Sequence, residues 1–246
     1  DRHEVGSMRL WRFSGKYARY LIKESFPLLL TNAAVMIYQR IDLVMIGNMV
    51  DDASAGHFAV AARFVEILIF IPMILAQTIS PVLTQIRNRN EDEYREKGQQ
   101  FMNISFWCSM LAAIATSFIA YPLVRYLFGE QYLPAVVILQ IMSFKAASVA
   151  LSNTAGSMLV IEGLQKWVFF RDILGCIVCV VLNWYFLPRY GAVAAAYIAI
   201  VSNVVAGYLA DGIIPAYRHL FIMQTKAMLF GIKDIARVKE YIIKKR

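Results

Sequence analysis

Between Tyr38 and Leu83 the chain sets ions inside otherwise apolar runs: Arg40 and Asp42 in YQRIDLVMIG, then Arg63 and Glu66 in AVAARFVEILIF. Lys145 stands apart in IMSFKAASVALS, with no acid near it in sequence. Such charges are costly in a membrane, at least about 2.5–3.5 kcal/mol for a lysine near its centre, and they usually face a bundle interior or a water-filled cavity. At about 100° per residue, Asn32 and Gln39 share one helix face, and Arg40 and Asp42 flank it on opposite sides. That broad polar sector suits a cavity-lining helix; the alternative is pairing with neighbouring helices that only fixes packing. Arg63 and Glu66 are spaced to pair along a helix, and Gln77, Ser80 and Thr84 continue their stripe, so a cavity wall and simple local neutralisation are both open. Ser148 and Ser152 share the face of Lys145, whose charge requires an acid from another span or an anionic ligand. Asp172 and Asn183 share a face, as do Asn203, Gly207 and Asp211. The two aspartates read as solvated caps near helix ends, and Arg125 reads as a snorkelling cation.

The elements that must position these side chains follow from composition. The chain has 246 residues and is 59% hydrophobic, against about 45–50% in soluble domains. Its uncharged blocks reach the roughly 20 residues that cross a bilayer as a helix, and none alternates as a barrel strand would. The expected fold class is an all-α integral membrane protein, a six-transmembrane-helix bundle. The spans fall at about 20–46, 57–83, 98–128, 134–161, 173–187 and 192–214, between a basic approach segment (1–19) and a basic tail (215–246). Pro72 predicts a kink, IRNRNEDEYREKGQQ a salt-bridged helical connector, and the tail a surface-lying amphipathic stretch. Lys and Arg crowd the termini and one set of loops, whereas the opposite loops carry Arg189, which places both termini in the cytoplasm. The abrupt start, DRHEVGSM, reads as that of a fragment of a longer protein.

The net charge of +8 belongs to helix ends rather than to a compact basic domain, so nucleic acid is not an expected partner. The three cysteines, Cys108, Cys176 and Cys179, sit in apolar blocks and offer no four-ligand metal set, so they read as small packing residues. There is no phosphate-binding lysine loop and no paired-carboxylate site in a large loop, which argues against an ATPase and a membrane glycosyltransferase. No enzyme activity and no resident cofactor are expected.

The ordered series YQRIDLVMIG, AVAARFVEILIFIPMILAQTISPVL, FGEQYLPAVVIL and IEGLQKWVFFRDILGCIVCVVLNWYFLPRYGAVAAAYIAIVSNVVAGYLAD resembles the C-terminal helices of Wzx-type O-antigen and polysaccharide flippases. These belong to the multidrug/oligosaccharidyl-lipid/polysaccharide exporter (MOP) superfamily. The likeness covers about Leu21 to Asp211; AVAAAYIA departs from it mildly, where a second glycine is usual. The resemblance implies one lobe of a MATE/MurJ-like two-lobe transporter. It further implies movement of undecaprenyl-pyrophosphate-linked oligosaccharide across the bacterial inner membrane, by alternating access through a cationic cavity, for O-antigen, lipopolysaccharide, capsule or exopolysaccharide. Arg40, Arg63 and Lys145 are the cations that could line the cavity, with Asn32, Gln39, Asp42 and Glu66 beside them; arginine forks suit phosphate oxygens. The implied partners are lipid-linked oligosaccharide, membrane lipids, the missing N-terminal lobe, and polysaccharide polymerase or chain-length proteins. A coupling ion, H+ or Na+, is left open. Two other readings stand beside this one: a cation-coupled drug exporter of the same superfamily, with Asp42 and Glu66 in charge, and a non-transporting scaffold in polysaccharide assembly.

Overall fold

The computed structural model describes residues 40–164 and 168–232, and every described element is helical. Asn32, Gln39 and the approach segment lie outside the described residues. The chain divides into two compact units, 1–40 and 41–246, and the architecture below is that of the second.

Helix α1 is the helical run 40–49. Asp51 then starts α2 (Asp52–Arg87), its carboxylate accepting the Ser54 N–H at 2.6 Å. That bond holds the Asp51 carboxyl below its usual range, as an N-cap should. Asn90 caps α3 (Glu91–Phe128) in the same way, through the N–H groups of Asp92 and Glu93. The acidic first turn of α3 and Arg87 in the last turn of α2 both suit the helix dipole. After Gly129, at φ 87°, come α4 (Ala135–Met142) and α5 (Lys145–Ile161), separated by Ser143 and Phe144. Helix α6 (Val168–Val204) passes through Gly191 at φ 62°, a conformation that L side chains rarely adopt, just after Pro188. Here the chain doubles back. Cys179 and Ser202 would lie about 34 Å apart on one straight helix, yet their side chains interact. A π-helical turn (Val205–Leu209) leads into α7 (Ala210–Ile213), and α8 (Arg218–Phe230) follows.

The helices run up and down between two apolar clusters. One holds Ile46, Ala61 and Val65, then Val124, Leu139, Leu187 and Ala195. The other holds Leu83, Tyr94, Met102, Leu151, Met158 and Leu220. Among the described residues, four helices are long and apolar enough to cross a membrane: Asp52–Arg87, Glu91–Phe128, Ala135–Ile161 and the bent Phe170–Ile213. Phe118, Trp184 and Ile213 are among the large apolar side chains that stay exposed on the bundle, where hydrocarbon rather than water is the natural neighbour.

Lipid is as apolar as leucine, so close packing has to draw such helices together. Alanines at 113, 120, 135, 146, 150, 155, 195 and 196 are fully buried and let backbones approach. The tightest approach is Gly207 on Ser152: a Cβ on Gly207 would sit 1.7 Å from Ser152 Oγ and 2.8 Å from its Cβ. Gly207→Ala is therefore expected to destabilise the full-length protein by about 1–3 kcal/mol. Adding Ser152→Gly should return most of the loss, as read by denaturant titration in detergent.

Candidate functional site

Asp42 is buried in α1, and two α6 side chains one turn apart point at it. Asn183 donates to Asp42 Oδ1 at 2.6 Å, and the Cys179 thiol donates to the same oxygen at 2.9 Å. The Asn183 amide also reaches Cys179 Sγ at 3.3 Å. The Ser202 hydroxyl, on the returning half of α6, interacts with Cys179, and Lys145 is close enough to act on the same thiol electrostatically. Asn183 is fully buried, and its Oδ1 has no hydrogen-bond partner. The cluster therefore offers a carboxylate, a vacant amide oxygen and a hydroxyl, donors suited to a proton or a hard cation. Among the described residues no group of three His, Cys, Asp or Glu side chains could hold a metal ion.

Lys145 is half-buried at the first position of α5. The α-helical ladder breaks just before it: Ala146 and Ala147 donate to Ser143 and Phe144, three residues back rather than four. Among the described residues no carboxylate comes within ion-pair distance of Lys145. Ser148 and Ser152, expected on its face, turn their hydroxyls onto backbone carbonyls at positions 145 and 148. A cation at a helix start lies at the dipole's positive end, so this corner of the bundle favours an anion.

The other expected residues lie elsewhere. Arg63 and Glu66 pair at 3.0 Å on an exposed face of α2, and Gln77 and Thr84 are exposed farther along that helix. Arg40 is exposed at the start of α1. Asn32 and Gln39 fall outside the described residues. Arg125, read as a snorkelling cation, bonds Glu130 at 2.8 Å.

One expectation is overturned. Asp211, read as a solvated cap, is fully buried, and Arg171 is only 7% exposed; they pair at 3.3 Å. The reason is α8. Its Gln224 covers the site and donates to Asp211 Oδ2 at 3.1 Å and to the Gly207 carbonyl at 2.8 Å. The amphipathic spacing of the tail drew attention to its apolar residues, whereas this polar one makes the contact. Cys179, read as packing, is the other residue missed; its share of the Asp42 contact arises from a neighbour far away in sequence.

The family model described as "Polysaccharide biosynthesis protein" matches residues 7–137. The chain belongs to that family. This agrees with the resemblance to polysaccharide flippases, and the protein is a membrane protein of all-α architecture. The fold is similar to a solved structure titled "Lipid II flippase MurJ, inward closed conformation", with TM-score 0.64 and 14% identity, over 90% of this chain and 49% of that one. The chain thus spans about half the length of that flippase. No curated protein matches it.

Removing one partner of a buried ion pair strands the other. Arg171→Met is expected to cost about 3–5 kcal/mol, and the double change Arg171→Met with Asp211→Leu should restore most of it; equilibrium unfolding of the purified full-length variants decides. Asp42→Ala should cost about 1–3 kcal/mol, because the Asn183 amide and the Cys179 thiol lose their acceptor. Asp42→Asn, which keeps an acceptor oxygen, should cost less in the same measurement.

Proposed function

We propose that the chain is one lobe of a transporter that flips a lipid-linked oligosaccharide carried on undecaprenyl pyrophosphate across the bacterial inner membrane, for surface polysaccharide such as O-antigen. The carrying observation is Lys145, a half-buried cation at a helix start with no carboxylate against it among the described residues. A pyrophosphate would compensate it. Membership of the polysaccharide family and likeness to a lipid II flippase support the choice of a lipid-linked sugar over other anions. Two-lobe transporters place their site between halves, so this lobe would supply Lys145 and the exposed α2 stripe of Arg63 and Glu66, and a second lobe the facing wall. The end of the bundle bearing Arg87, Arg89, Arg95 and Lys97 would face the cytoplasm. All six spans of the sequence reading, with α6 counted as two, belong to this proposal.

The Asp42 cluster favours coupling to H+ or Na+, with Asn183 Oδ1 as a further ligand. That feature also suits the runner-up, a cation-coupled drug exporter. The two separate in one experiment: complementation of a flippase-deficient strain with the full-length gene. Lys145→Ala and Arg40→Ala should abolish surface glycan while the protein still inserts, and drug tolerance should stay unchanged. Normal glycan display from both variants would overturn the cationic-cavity reading. A change in drug tolerance on Asp42→Asn, with glycan display intact, would favour the exporter.

A further inference from the structure

Helix α8 is fastened at both ends of its contact with the bundle. Its far half is held by Gln99 on the Met223 carbonyl and by Trp107 on the Ala227 carbonyl, both at 2.9 Å. Tyr208 stacks on Phe221 at 4.6 Å and bonds Thr225. The near end is different. His219 Nε2 lies 2.8 Å from Glu162 Oε2, just past α5, and the other carboxylate oxygen accepts the Tyr94 hydroxyl of α3 at 3.1 Å. Arg87, at the end of α2, bonds the Ile161 carbonyl and sits 5.7 Å over the Tyr94 ring. Glu162 thus joins α3, α5 and α8, with α2 alongside.

We propose that α8 is a proton-sensitive clasp: charged His219 on Glu162 closes its start over the ends of α3 and α5, and loss of that proton releases it. The geometry carries this. The backbone of Ala216 offers the ring a second acceptor besides Glu162. An imidazolium has two N–H donors and serves both, whereas a neutral ring has one and must leave an acceptor without a donor. Arg95 of α3 opposes the charge on His219, as does Arg218 beside it. Asp211 of α7 favours it but is tied to Arg171. Glu91, engaged by Arg87 and Arg95, lies beyond Tyr94. The bond to Glu162 holds the His219 imidazole above its ordinary value, outweighing burial. Because the folded value is raised, the stabilisation is complete below the ordinary value of about 6.5 and fades as pH rises through the folded one.

The test is hydrogen–deuterium exchange of Arg218–Phe230 in the full-length protein in nanodiscs, from about pH 6 to pH 9, corrected for intrinsic rates. Wild type should exchange roughly threefold or more faster at the alkaline end. His219→Lys, permanently charged, should stay slow throughout, and His219→Gln should show no pH step. Glu162→Gln, which keeps an oxygen for Tyr94, should give the same flat profile from the other side of the pair. A flat wild-type profile, or an equal rise in His219→Gln or Glu162→Gln, would overturn the proposal.

Discussion

Hydrocarbon gives two apolar helices no reason to prefer each other over lipid, and the bundle depends on answering that constraint. It does so with small residues. Fully buried alanines line α3, α4, α5 and the returning half of α6, and each lets a backbone come close enough for many weak contacts to add up. The Gly207–Ser152 contact is the limiting case. Close approach also brings backbone carbonyls within reach of side chains, as Gln224 on Gly207 and Trp107 on Ala227 illustrate.

Polar groups are then confined to a few places where several helices share the cost of burying them. Asp42 is satisfied by α6. Arg171 and Asp211 pair with each other, and α8 adds a bond to Asp211. Glu162 gathers α3, α5 and α8. In each case the group joins segments far apart in sequence, so it specifies which helix lies beside which. Lys145 differs: its half-buried position and the broken ladder before it leave the charge directed at something other than a carboxylate of the described bundle.

The sequence makes the class of the fold plain because block length and lack of alternation are local properties. Arg63 with Glu66 was legible for the same reason, their spacing being enough to pair them. Asp42 could be singled out as a charge in an apolar run, but its partners could not, since Cys179 and Asn183 lie 137 and 141 residues away along the chain. Asp211 misled because nearness to a helix end normally means water, and nothing local signals that Gln224 folds back to seal it. A glutamine in a cationic tail is unremarkable until the helix carrying it has docked.

Cys179 and Asn183 grip one oxygen of Asp42 from successive turns of a single helix. Rotating that helix, or sliding it by a fraction of a turn, moves both donors off the carboxylate together, while moving one alone is geometrically awkward. The contact therefore behaves as a detent in a mechanical catch: seated or unseated, with little between. Motion of α6 against α1 would be expected to proceed in a step rather than as a gradual drift.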